Sequence, residues 1–406
     1  MAKSGFLPYC PYCGGARVPH TLNKLQCYID TIFDRVTGPL ERLDASVRNQ
    51  FLRRHADRLV LPLCALLAKL RLGTLSNTCD ARDTIRTRAL FDGAGAAGVE
   101  LLEFRPFNMS FDGIFIARKG TSSLVFFTMP RPRLRVSPFL DWIDDKGKVK
   151  SFFLRHGIPV PQGEVATNFA GAESAFERVG PPVITKPQRG SRSRHTIIGI
   201  DSREALRRAF AITKQISPYV VVEKELLGGV HRVTLVGGAV AAVCIRDFAH
   251  VVGDGTLTIR QLIDRENKSP LRDGFFFFPI PINDAALDTL KEQGKDWDSV
   301  PQKDERVVLH KKVSRLYGSV TVDVTDIVHP DNTELFERIG SLMQDPIIGV
   351  DFMISDISKP WHQEERSGVI ELNTMPYIDL HHYVYQGTPR NVAKQLWEYV
   401  FEHGEY

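Results

Sequence analysis

From Thr21 to Val36 the apolar residues Leu22, Leu25, Ile29, Ile32 and Val36 recur at steps of three or four, the spacing of one helix face. Leu43 to Leu72 continues that character, so residues 1–77 are expected to form a helical N-terminal region. The apolar stretch Leu59 to Leu72 is interrupted by Pro62, Lys69 and Arg71 and falls short of the roughly 20 residues that cross a bilayer, which predicts a packed helix. Past Asn77 the pattern changes. A helix-like run to Gly98 is followed by the apolar run Val99 to Phe104, then by Ile114 to Ala117 and Leu124 to Phe127 on either side of Lys119-Gly120, which reads as a hairpin. Residues 78–140 are therefore expected to form a small α/β lead-in unit.

After Asp145 helical and strand patterns alternate to the end, defining a third unit over residues 141–406. Helices are expected over Lys148 to His156, Arg203 to Ile216, Ile259 to Arg265, Thr333 to Met343 and Pro389 to Phe401, with Asp201, Thr258, Asp331 and Thr388 near their starts as caps. Strands are expected over Val183 to Lys186, Val220 to Lys224, Arg232 to Val236, Val240 to Ile245, Ile347 to Ile354 and Val369 to Leu372, with Gly237-Gly238 as a hairpin turn. The whole is an α+β chain.

Composition narrows the class. The chain has 406 residues, 52 Lys plus Arg against 48 Asp plus Glu, 43 % hydrophobic residues and six cysteines, which excludes collagenous, disordered and disulfide-scaffold proteins. A net charge of +4 with no basic stripe interleaved with aromatics argues against nucleic acid as a partner. The first residues lack the apolar run of a signal peptide, so a cytoplasmic location with reduced thiols and no membrane partner is expected. A homo-oligomer is left open.

The first constellation of chemistry lies near the C-terminus, where Gly349-Val350-Asp351 is followed by Val369-Ile370-Glu371-Leu372-Asn373. In a strand Glu371 and Asn373 project from one face, and with Asp351 on a neighbouring strand they offer the hard oxygen ligands that Mg²⁺ accepts. Acids at strand ends are also common without a metal. The second is cationic: Lys186 ends a strand directly before Pro187-Gln188-Arg189-Gly190-Ser191, where a lysine and a small-residue loop suit phosphate, and Lys146 is a candidate second phosphate contact. Surface charge is the bland reading of either lysine. The third is Val222-Glu223-Lys224-Glu225-Leu226, a strand running into a linker of the sort that reads adenine, although an edge strand with outward charges fits equally. Arg232 and Arg246, on adjacent β-runs, suit a carboxylate or acyl phosphate.

In this order the pieces resemble the ATP-grasp module of cyanophycin synthetase and of bifunctional glutathione synthetases, from Asp145 to Phe401. The matches are Asp145-Lys146 with Gly157-Ile158-Pro159-Val160-Pro161, Ile184-Thr185-Lys186-Pro187, Val222-Glu223-Lys224, Val252-Gly253-Asp254-Gly255-Thr256, Asp323-Val324-Thr325, Gly349-Val350-Asp351, Glu371-Leu372-Asn373 and Gly387-Thr388-Pro389-Arg390. The resemblance implies two α+β lobes enclosing ATP. It implies Lys146, Lys186, Gly190 and Ser191 at phosphates, Glu223, Lys224, Glu225 and Leu226 at adenine, and Asp351, Glu371 and Asn373 on Mg²⁺, with Mn²⁺ as an alternative ion. Arg246 and Arg232 would be the catalytic arginines. The implied reaction is ATP-dependent ligation of a carboxylate to an amine through an acyl phosphate, on an amino acid or peptide. Because the chain reaches only Tyr406, with no Mur-ligase-like unit after it, a single ligation is expected.

The alternative is a non-catalytic nucleotide-binding protein derived from such a ligase. It is motivated by a phosphate loop that keeps only Gly190 and by Val230 at the position of the family's ribose-binding acid. Cys10 and Cys13 resemble one knuckle of a zinc ribbon, with His20 and Cys27 able to complete four ligands; unliganded thiols are the bland reading. His381 and His382 either border a substrate pocket or are ordinary loop histidines.

Overall fold

The computed structural model describes residues 10–13, 18–29, 60–80, 83–107, 113–132, 143, 145–188, 194–311, 313 and 315–404. Helix covers 20–29, where the helical periodicity begins; its expected continuation to Val36 lies outside the described residues.

The first sheet joins β1 (Gly73–Ser76), β2 (Glu100–Pro106), β3 (Ile114–Lys119) and β4 (Ser122–Phe127) in sequence order, all antiparallel. β1 thus lies within the stretch read from sequence as wholly helical. Four residues beginning with a glycine carry too little periodicity to announce a strand, and β1 is held by its pairing to β2. The helix Ile85–Ala96, capped by Thr84, packs on this sheet and on the last helix, Val392–His403. The two helices touch at Gly93, where a Cβ would come within 2.4 Å of Ala393, and the Trp397 indole donates to the Leu90 carbonyl at 3.0 Å. The lead-in unit and the chain's C-terminal end therefore share one core.

A second sheet has the order β5 (Gly163–Ala166), β8 (Val220–Lys224), β6 (Val183–Pro187), β7 (Ile197–Ile200), with helices Phe169–Val179 and Arg203–Thr213 burying its apolar side. The first of these helices is capped by Asn168 and faces the sheet with Ala172 and Ala175, residues too small to advertise it in the sequence.

The third sheet is the largest, with the order β13 (Val320–Asp323), β10 (Ala239–Asp247), β9 (Gly229–Val236), β14 (Ile347–Ile354), β15 (Gly368–Asn373). Gly237 and Gly238 turn β9 into β10 with φ of 60° and 91°, conformations that favour glycine. Alternation along the strands divides the faces. Val233, Leu235, Val243, Ile348, Val350, Phe352 and Ile354 join one core with helices Lys146–Arg155 and Pro330–Met343, leaving the polar positions between them on the opposite face. The ribbon of β11 (His250–Val252) and β12 (Arg306–Val308) and the helices Ile259–Glu266 and Asp284–Glu292 build a smaller core beside β10. Thr258 closes a capping box, whereas the other expected caps shift to Ser202, His329 and Asn391. Among the described residues no helix is long and apolar enough to cross a membrane.

Candidate active site

Strand register sets five residues in a line across the polar face of the large sheet. Asp323 lies opposite Cys244, Cys244 opposite Arg232, Arg232 opposite Asp351, and Asp351 opposite Glu371. Arg232 grips Asp351 with two bonds, Nε to Oδ1 at 2.5 Å and Nη2 to Oδ2 at 3.0 Å, and both side chains are buried. In the adjacent row Thr234 faces Gly349, and Gly349 faces Asn373. A Cβ on Gly349 would lie 3.2 Å from Arg232 Nη1 and 3.5 Å from Asn373 Cβ, so glycine keeps the space between the rows open. Arg232 Nη1 and Asn373 Nδ2 are buried there without a hydrogen-bond partner.

The helix Lys146–Arg155 brings two lysines to this edge. Asp145 caps it, its Oδ1 accepting from the amides of Gly147 and Lys148 at 2.9 and 3.1 Å and from the Gln188 side chain at 3.2 Å. Lys146 Nζ then stands 3.4 Å from Glu371 Oε2. One turn on, Lys150 pairs with the buried Glu223 of β8, whose other oxygen pairs with Lys186 at the end of β6. Lys146 thus meets the large sheet and Lys150 the small one, so this helix aligns the two polar sets. Lys150 was not marked from the sequence; its spacing of four from Lys146 was the available signal.

Electrostatics distinguishes the two acids. Burial raises Glu371, Asp351's charge raises it further, and Lys146 and Arg232 only partly oppose this. Burial would likewise raise Glu223, but the charges of Lys186 and Lys150 outweigh it and bring the carboxyl below its ordinary range. Glu371 is therefore short of positive charge while Glu223 is saturated with it. Asp351, Glu371 and Asn373 together present two carboxylates and an amide at one edge, a donor set that fits a hard divalent cation such as Mg²⁺.

Arg246 lies one row over from Arg232, opposite Val230 and Thr321, and burial lowers its pKa. Its Nη2 donates to the Val313 carbonyl at 3.4 Å. Arg315, in the turn Arg315–Tyr317, bonds the buried Asp379 at 2.6 Å and adds a cation near Arg246 that sequence reasoning missed. Such a turn residue carries no periodic signal. Asp323, at the line's far end, pairs with Arg390 at 3.0 Å and accepts from Thr325 at 2.6 Å, bringing the Asp-Val-Thr and Gly-Thr-Pro-Arg segments together.

The linker from β8 to β9 crosses between the two sheets. Gly228, with φ of 101°, passes so close to β14 that a Cβ would lie 2.2 Å from the Ile354 carbonyl oxygen. Lys224 Nζ donates to the Pro181 carbonyl at 2.8 Å, and Glu225 accepts from the Gly199 amide at 3.1 Å, while Leu226 is half-buried. Gly190 and Ser191 lie outside the described residues. His381 and His382 do not meet the acids: His381 Nε2 is 2.8 Å from the Thr234 hydroxyl, and His382 Nε2 accepts from the Ala393 amide at 3.0 Å. Of the four candidate zinc ligands, Cys10, Cys13 and His20 come together, but Cys27 does not join them; the fourth member of that group is His195.

No family model matches the chain. Cyanophycin synthetase of Synechocystis sp. is 38 % identical over 266 residues, covering 64 % of this chain and 30 % of that protein. The glutathione biosynthesis bifunctional protein GshAB of Mannheimia succiniciproducens is 30 % identical over 274 residues, covering 66 % of this chain and 36 % of that protein. The crystal structure of a bifunctional glutathione synthetase from Pasteurella multocida superposes with a TM-score of 0.61 at 26 % identity, covering 78 % of this chain and 43 % of that one. The chain thus spans about a third of the length of these curated relatives. Its homologues are cyanophycin synthetases and bifunctional glutathione synthetases, and its fold is that of ATP-grasp ligases.

Proposed function

We propose that this chain is an ATP-dependent carboxylate–amine ligase acting on an amino acid or short peptide. The observation that carries this reading is the line Arg232–Asp351–Glu371 on one sheet with Lys146 set against Glu371, while Lys150 of the same helix shares Glu223 of the other sheet with Lys186 at the end of β6. In this reading Lys146 and Lys186 bind phosphate oxygens, each already directed by an acid, Glu371 and Glu223 respectively. Adenine is read by the linker: the amides of Lys224, Glu225 and Leu227 bond Gln162, Pro182 and Arg366. Among the described residues the Leu226 and Gly228 amides have no backbone acceptor, and Leu226, next to Glu223–Glu225, is the donor this reading assigns to a ring nitrogen.

Asp351, Glu371 and Asn373 would hold Mg²⁺, which when bound neutralises phosphate oxygens that repel an incoming carboxylate. The substrate carboxylate attacks the γ-phosphorus of ATP, releasing ADP and leaving an acyl phosphate. An amine then attacks the acyl carbon, expelling phosphate and losing a proton to give the amide. Arg246, half-buried and without a carboxylate partner among the described ion pairs, orients the acyl phosphate, and Arg232 fixes Asp351.

The test is ADP release from MgATP by the purified protein over a matrix of amino acids and peptides, with products identified by mass spectrometry. Lys186→Ala and Glu371→Ala should each remove turnover. Val230, opposite Met353 and Arg246 where a ribose-binding acid is absent, favours the second reading, a nucleotide-binding protein without ligase activity. ATP binding by calorimetry with no ADP formed from any pair would establish that reading and end the first.

A further inference from the structure

The N-terminal cysteine pair lies against the lobe that carries Lys186, and its surroundings have no part in the ligase reading. We propose that Cys10, Cys13, His20 and His195 bind one Zn²⁺ in a closed structural site that fastens the N-terminal knuckle to that lobe. The four ligand atoms all lie within 4.8 Å of one another. Cys13 Sγ is 3.2 Å from His20 Nε2 and 3.3 Å from His195 Nε2, and Cys10 Sγ is 3.4 Å from His195 Nε2. Zn–S bonds of about 2.3 Å and Zn–N bonds of about 2.0–2.1 Å imply tetrahedral sulfur–nitrogen edges of roughly 3.5 Å, so small shifts suffice to seat the ion.

His195 is set up as a ligand rather than merely nearby. Its Nδ1 lies 2.7 Å from the Ile212 carbonyl oxygen. A carbonyl only accepts, so Nδ1 carries the proton and the Nε2 lone pair is turned toward both sulfurs, the outer-shell arrangement that orients zinc-binding imidazoles. The backbone is fixed as well: the His195 amide donates to the Tyr12 carbonyl at 2.9 Å, its carbonyl accepts from Thr213 Oγ1 at 2.9 Å, and its φ of 52° is left-handed. On the other side the Cys13 amide closes onto the Cys10 carbonyl at 3.2 Å, the tight turn of a Cys-x-x-Cys knuckle.

Among the described residues the knuckle has little apolar support of its own. Its apolar cluster consists of Cys10, Cys13 and Val18, with Tyr12 packed against it, far less than a self-sustaining core requires. Two thiolates and two imidazoles are soft and borderline donors that select zinc over the hard cation suited to Asp351 and Glu371. Four protein ligands leave no open position, so the ion is structural, and its binding energy contributes to holding the N-terminal segment in place.

The test uses the full chain, purified with reduced thiols and without chelator, with metal content measured by inductively coupled plasma mass spectrometry. The expected result is about one zinc per chain, and Co²⁺ exchange should give the absorption of tetrahedral cobalt with thiolate ligands. Cys13→Ser and His195→Gln should each lower zinc content at least tenfold, while Cys27→Ser retains it. If Cys13→Ser does not fold, the wild-type cobalt spectrum and His195→Gln still decide the matter. A wild-type chain that takes up neither zinc nor cobalt overturns the site. Zinc that persists in His195→Gln, or is lost in Cys27→Ser, overturns the ligand set.

Discussion

At the residue scale the centre of the site is a chain of charges in which each member depends on the next. Arg232 and Asp351 are buried together, so Asp351→Asn leaves a guanidinium without its counter-charge and should cost about 3–5 kcal/mol in denaturant unfolding. Glu371→Gln has the opposite character. Glu371 is raised by burial and by Asp351's charge, and removing its own charge relieves that repulsion. In metal-free protein this variant should match or exceed wild-type stability while losing at least about a hundredfold in ADP release, separating a ligand's role from a structural one. Lys150→Ala leaves Glu223 with Lys186 as its remaining cation, so the carboxylate that positions Lys186 is anchored from one side instead of two. A raised KM for ATP with retained fold, measured by initial rates, is the expected outcome. Asp351, Glu371 and Asn373 could be singled out from the sequence because spacing within a strand sets which residues share a face. For Lys150 the spacing of four from Lys146 marks a shared helix face, but nothing along the chain says that the acid facing it comes from β8.

At the element scale, long apolar strands declared themselves, whereas the capped helices Phe169–Val179 and Asp284–Glu292 did not. Ile347–Ile354 was read at its full length because six of its eight residues are apolar, and the structure explains the pattern: even positions from Ile348 to Ile354 face one core while Gly349 and Asp351 face the site. β5 and β7 were missed, being four residues long with burial that does not alternate. Packing between elements was also invisible, and Gly93 is an instance. The helix Ile85–Ala96 contacts the last helix there through backbone, with the Ala393 main chain 2.7 Å from a Cβ position. Gly93→Val should therefore destabilise the protein by roughly 1–3 kcal/mol through overpacking. Nucleotide affinity should stay unchanged, since Gly93 meets Ala393 and Lys394 of the last helix and none of the site residues; calorimetric melting and ATP titration check both halves.

For the whole molecule, the buried His231 and His381 and the half-buried His382 set an acid limit. Burial holds His231 and His382 down to about 4 and His381 to about 3. A histidine whose folded pKa lies below its unfolded value binds fewer protons when folded, so stability rises with pH between the two values and falls as pH drops below about 6.5. Each group contributes a slope approaching about 1.4 kcal/mol per pH unit in that window. Glu371, raised in the fold, acts in the opposite sense, losing stability as pH climbs through its folded pKa. Urea unfolding from pH 7 to pH 5 should show falling stability, and His231→Gln should flatten the dependence by about one histidine's share. An unchanged slope in the variant would show that His231 accepts its proton in place.

The sequence alone determined the α+β class, the main strands and their facing, and the order of motifs that resembles an ATP-grasp ligase. These are local properties, written in periodicity, turn residues and short spacings. Tertiary structure decided which local pieces meet. The line from Asp323 to Glu371 exists because five strands pair in one register, and that register follows from burying their apolar face against helices elsewhere in the chain. The exchange of Cys27 for His195 in the N-terminal cluster has the same cause. Cys10 and His195 are 185 positions apart, and the packing of the small lobe, not the spacing of cysteines, brings an imidazole to the knuckle.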